Sequence, residues 1–203
     1  MLNRRHIRAK VMQILFSNKS NVMHEQLNDS LEESMKSMYK LYLLMLSLLI
    51  KLRHRAIEHQ KKAKNKFIKT NEDKKPSMRF VNNIVLKKLD DNSLLGSEFE
   101  NHEIFYWDKN KEYIELIYKD LVSSDLYKAF LKSKDESLKS DIVFIIEFFK
   151  TIIAPNIKLY DYLQDENITW GDDFPVVNTF LVKLLSKVKL KSKQDFFTPN
   201  LFK

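Results

Sequence analysis

Apolar residues recur at three- and four-residue intervals through most of the chain, the spacing that lines one side of an α-helix. Ile7, Val11, Ile14 and Leu15 fall at i, i+4, i+7 and i+8, which predicts a first helix over residues 4–17 with one apolar stripe and with Arg4 and Arg8 on another face. A polar connection, Ser17 to Asn21, leads to a longer helix from Ser30 to about Glu58. Leu31, Met35, Met38, Tyr42, Met45 and Leu49 keep the period there, and the run Leu41–Ile50, apolar on all sides but for Ser47, predicts burial from several directions. That run is ten residues between Lys40 and Lys51, well short of the roughly 20 that cross a bilayer.

From about His59 to Ser77 the sequence turns Lys-rich and polar, and Pro76 breaks it, so an exposed loop is expected. Ser77 then offers an N-cap for a helix carrying Phe80, Val81, Ile84, Val85 and Leu89 inward and ending near Asp90. Beyond a loop holding Gly96, helices are predicted over Asn110–Leu121, Asp125–Lys132 and Asp135–Ala154, the last closed by Pro155. Asp172 or Asp173 caps a final helix with Pro175 in its first turn and Val177, Phe180, Leu181, Leu184, Leu185 and Val188 as its stripe.

With two Gly and four Pro in 203 residues there is little of the turn chemistry that strands require. The expected fold class is therefore all-α, a multi-helix bundle with an aromatic-rich core, its helical region spanning residues 1–190. Residues 191–203, with four large apolar side chains in no helical period, are expected to form an irregular tail. Either the tail folds back onto the helices, or the natural chain continues and supplies the partner surface.

Charge changes the picture from fold to function. Residues 1–89 hold 20 Lys+Arg against 7 Asp+Glu (+13), and residues 90–203 hold 15 against 20 (−5), which together make the net +8. A polyanion would bind the basic half. Three of only six Arg lie in the run Arg4, Arg5, His6, Arg8, Lys10, which sets five potential donors at the start of a helix. Guanidinium groups pair bidentately with phosphate and stack on unpaired bases, whereas a solvated face of ion pairs is the competing explanation.

Catalytic signatures are missing where their chemistry would require them. Gly96 and Gly171 stand alone, so no phosphate-cradling or dinucleotide loop can form, and no Ser is flanked by the glycines of a nucleophile elbow. His24-Glu25 is followed by Asn28 where a helical zinc site needs its second His, and zero Cys excludes thiolate ligands and cysteine nucleophiles. Glu98, Glu100 and Glu103, and Asp172 with Asp173, read as loop carboxylates and a helix cap rather than cation ligands. No enzymatic activity, cofactor or metal is expected. No apolar stretch with a cleavage site follows the charged N-terminus, so a cytoplasmic protein is expected.

The segment Asn3-Arg4-Arg5-His6-Ile7-Arg8-Ala9-Lys10-Val11-Met12-Gln13-Ile14-Leu15-Phe16 resembles the opening helix of the NusB family of transcription antitermination factors. Phe80–Leu86 and Trp170–Thr179 are similar to a long-form branch with an extended helical region. The resemblance implies a NusB-like N-terminal helix followed by that region, and a function in antitermination. The partners it implies are single-stranded boxA-like RNA of ribosomal transcripts, the ribosomal protein NusE and the transcription elongation complex, with no membrane. It marks Arg4, Arg5 and Arg8 as RNA contacts, with His6, which stands where many members carry Arg, and Lys10 beside them; Gln13 and Phe16 match with a packing role open. The family's closing Pro-x-x-Val-x-x-Asn-Glu and Phe-Val-Asn-Gly-x-Leu-Asp type motifs do not occur before Lys203, so the chain is expected to correspond to an N-terminal portion. The alternative, from the charge and helices alone, is a helical protein-interaction module with no role in RNA binding.

Overall fold

The computed structural model describes residues 4–17, 24–65 and 77–188, so the expected tail over 191–203 lies outside the described residues. Ten α-helices and no strand occur among them: α1 (Arg4–Ser17), α2 (His24–Asn65), α3 (Ile84–Asp90), α4 (Ser93–Asn101), α5 (Tyr106–Lys109), α6 (Lys111–Ser123), α7 (Asp125–Lys132), α8 (Leu138–Phe148), α9 (Ile157–Glu166) and α10 (Trp170–Ser186). The all-α multi-helix bundle is thus as the periodicity predicts. No described helix is long and apolar enough to cross a membrane.

The centre is α2. Leu41 to Leu46, Leu48, Leu49 and Leu52 are buried all round the helix because α1, α3, α4, α5, α6 and α10 each pack against it. Burying a helix on every side leaves its polar atoms to be satisfied locally. Ser47, the one polar residue of the run, donates its hydroxyl back to the Leu44 carbonyl at 2.8 Å, and the same carbonyl accepts the Trp107 indole N–H at 3.0 Å. A second indole, Trp170, donates to the Ser37 carbonyl at 3.1 Å and to its hydroxyl at 2.9 Å. The rest of the core is aromatic, as composition predicts. Phe80 meets Tyr127, Phe144 and Phe148 edge-on, and Phe130 stacks on Phe144 at 3.8 Å.

Several boundaries differ from expectation, each for an identifiable reason. α2 starts six residues earlier and continues through His59–Asn65, the first part of the expected Lys-rich loop, and residues 66–76 of that loop lie outside the described residues. Lys, Gln and Ala are strong helix formers, so polarity alone does not stop a helix, and buried Gln60 donates to the Ser77 carbonyl at 2.7 Å to fasten the extension. Ser77 does not cap α3. The cap is Asn83, whose side-chain oxygen accepts from the amides of Val85 and Leu86, while Phe80 and Val81 are buried from the preceding turn. Asn92 caps α4, in the stretch around Gly96 expected as a loop, and Asn156 caps α9, a helix not expected directly after Pro155.

α4 ends in a Schellman motif: Ile104 N–H reaches the Phe99 carbonyl at 2.9 Å and Glu103 N–H reaches the Glu100 carbonyl at 3.2 Å. The motif needs a left-handed residue, and Glu103 supplies it at φ 52° in place of the usual glycine. α8 widens in its last turn into a π-turn, Phe149–Ile153, with Ala154 N–H on the Phe149 carbonyl at 2.8 Å, just before Pro155 ends it.

Candidate nucleic-acid interface

α1 carries the predicted site residues, and the way it docks decides which of them face outward. It lies against α2 by the side of His6, Lys10 and Ile14, one turn apart. The apolar stripe faces elsewhere: Ile7 is 38% exposed, Val11 36% and Leu15 47%, with Met12 and Phe16 more exposed still. A stripe of this period ordinarily turns to the core. Here a polar contact outweighs it.

That contact is centred on Lys10. Its ammonium is 2.7 Å from one oxygen of Asp173 and 2.8 Å from the other, and it also donates to the Ser34 hydroxyl at 2.9 Å. Both side chains are almost fully buried, 5% and 4% exposed. Burial pushes the Asp173 carboxyl above the ordinary carboxylate range, with the Lys10 hydrogen bond and charge opposing the rise. Gln13 adds an amide donor to Asp172 at 2.7 Å. Asp172 and Asp173 are therefore not the caps of α10; Thr169 is its first flanking residue, and the two carboxylates hold α1.

The five candidate RNA contacts divide accordingly. Arg4, Arg5 and Arg8 are exposed. His6 is half-buried, and its Nδ1 has no hydrogen-bond partner. Lys10 has its charge matched by Asp173 inside the protein, which leaves it no face for a phosphate; it is the anchor of the helix that presents the others. Sequence periodicity could not reveal this, because only the fold brings residue 173 to residue 10. Gln13 likewise has a hydrogen-bonding role, and Phe16 at 72% exposure packs against little.

The basic half is also less free than its charge suggests. Lys10–Asp173, Lys51–Asp108, Arg53–Asp90 and Arg55–Glu115 each join a cation of residues 1–89 to a carboxylate of residues 90–203. Arg79 lies over the Phe130 ring at 4.3 Å and donates to the Ser133 carbonyl at 2.5 Å. The three arginines outside α1 are thus all bound to the body of the protein.

A cleft of about 450 Å³ opens beside α1, lined by Gln13, Ile14, Glu33, Ser34, Ile168 and Asp172 among others. Among the described residues no group of three or more His, Asp or Glu could hold a metal ion. Comparison with protein-family models, curated proteins and solved structures gave no match.

Proposed function

We propose that this chain is a non-catalytic RNA-binding factor of the NusB antitermination type. In this reading Arg4, Arg5 and Arg8 hold single-stranded boxA-like RNA of ribosomal transcripts, and NusE and the elongation complex are the protein partners. The observation that carries the reading is the placement of the arginines: Arg53, Arg55 and Arg79 are bound to the body of the protein, whereas Arg4 and Arg8 lie exposed on the first turns of α1. Exposed guanidiniums clustered within five residues form an anion-binding edge that requires no pocket.

A second observation supports it. Two of the segments on which the resemblance rests, residues 3–16 and 170–179, meet through Lys10–Asp173 and Gln13–Asp172. Segments that depend on each other physically form one device, here a basic helix held out from the body by two carboxylates.

The test is fluorescence anisotropy of the full 203-residue chain with a boxA-like RNA and a scrambled control, at low and high salt, with and without NusE. Sequence-selective binding strengthened by NusE is expected, and Arg8→Ala should weaken it about tenfold and reduce the salt slope by about one. Unchanged affinity and slope in Arg8→Ala would remove the arginine edge from the function, and binding blind to sequence would leave only a charged surface.

A further inference from the structure

We propose that the outward apolar stripe of α1 is a docking site for an acidic amphipathic helix of a partner protein. Ile7, Val11, Met12, Leu15 and Phe16 are exposed on one 14-residue helix, whereas the seven other exposed large apolar residues of the described chain each lie in a different segment. Ile7, Val11 and Leu15 recur every four residues, the ridge spacing by which one helix packs into the groove of another.

Charge identifies the occupant. α1 contains no Asp or Glu, and Arg4, Arg5 and Arg8 adjoin the stripe. A basic helix would be repelled there, and carboxylates flanking an apolar face would be attracted. The same argument disfavours two occupants closer to hand. A second copy of α1 would bring three more guanidiniums and no carboxylate. The chain's own residues 189–203 carry Lys189, Lys191, Lys193 and Lys203 against Asp195 alone. RNA would satisfy the arginines and leave the apolar stripe in water. The proposal does not rest on the RNA reading, since its contacts are the apolar residues and its charge partner need not be nucleic acid.

The probe is a labelled peptide of about 18 residues, long enough to hold a helix, with Leu at every third and fourth position and Glu on the flanks. Its counterpart carries Lys in place of Glu. By anisotropy with the full chain, the Glu peptide should bind at least about tenfold more tightly than the Lys peptide, with the difference shrinking at high salt. Val11→Asp and Leu15→Asp should each weaken the Glu peptide about tenfold, and Met78→Asp, at a remote exposed position, should not. Phe16→Ser, at a 72% exposed position where unfolding is no concern, should weaken it as well.

Equal binding of the two peptides, no binding of either, or affinity indifferent to Val11→Asp, Leu15→Asp and Phe16→Ser would overturn the proposal. So would concentration-dependent self-association abolished by Val11→Asp, which would put a second copy on the stripe. Val11→Ser, which adds no charge beside Arg8, should weaken the Glu peptide and leave RNA anisotropy unchanged, so loss of peptide binding and loss of RNA binding report on different residues.

Discussion

Removing Lys10 should release α1 from the body without unfolding the rest. Lys10→Met keeps the aliphatic stem and deletes the ammonium, leaving Asp173 3% exposed with no cation. Breaking a buried pair from one side costs about 3–5 kcal/mol, because the surviving charge stays desolvated. The protein has a cheaper response. Lys10, Gln13 and the half-buried His6 and Ile14 supply most of the inward contact of α1, and the apolar stripe already lies in water, so undocking exposes little further apolar surface. A free 14-residue helix is marginal in water. Detachment and melting of α1 should therefore be one event.

The assay is amide hydrogen exchange read by segment, beside denaturant unfolding followed at Trp107 and Trp170. At about 1.4 kcal/mol per tenfold, 3–5 kcal/mol predicts a loss of protection in α1 of about a hundredfold or more, limited by whatever stability α1 has to lose. Exchange in α6 and α8 should be unchanged. Lys10→Met with Asp173→Leu removes both charges and should restore most of the protection, since a buried pair replaced by apolar groups of similar size is often neutral or stabilising. If Lys10→Met left α1 protection within about twofold, the pair would not be what holds the helix; if the double variant were worse than the single, the cost would lie in packing rather than charge.

Three further outcomes follow from local geometry. Pro175 cannot donate to the Gly171 carbonyl, four residues back in α10, and the Tyr160 hydroxyl donates to it instead at 2.7 Å; Tyr160→Phe should cost about 1–2 kcal/mol by denaturant unfolding, and the loss should nearly vanish in Pro175→Ala, which restores the amide donor. Glu103→Gly should stabilise the protein by about 0.5–1 kcal/mol in the same assay, because glycine holds the left-handed conformation of the α4 terminus without a Cβ clash, and a destabilised variant would show that the Glu103 side chain contributes contacts of its own. Burial raises the Asp141 carboxyl above its ordinary 3.8, against the opposing hydrogen bond from Ile84 N–H; the stability it contributes is full below that value and is lost as pH rises through the raised one, so Asp141→Asn, which can still accept from Ile84, should flatten a stability profile measured across that window and be at least as stable as the parent at neutral pH.

The sequence by itself determined where most helices lie and what class of fold they build. Paucity of Gly and Pro excludes strands by leaving too few turns, and the all-round apolar run Leu41–Ile50 marks the one helix that others must surround. α4 escaped because its Gly96 reads as a breaker between helices, and α9 because its cap Asn156 follows directly on Pro155, which reads as the close of the preceding helix. The arginine cluster was legible as a candidate, because residue type and spacing are local properties.

Only the tertiary structure decided which way α1 faces. An apolar stripe and a basic face are equally consistent with either side packing inward. The choice was made by Asp172 and Asp173, 159 and 163 positions from their partners in the chain, whose carboxylates draw Gln13 and Lys10 against α10 and so turn Ile7, Val11 and Leu15 outward. A hydrophobic period records what a helix can bury, whereas burial itself depends on which partner surface arrives. Here the partner was a buried charge, and it converted one predicted RNA contact into an anchor and the predicted apolar side into an exposed surface.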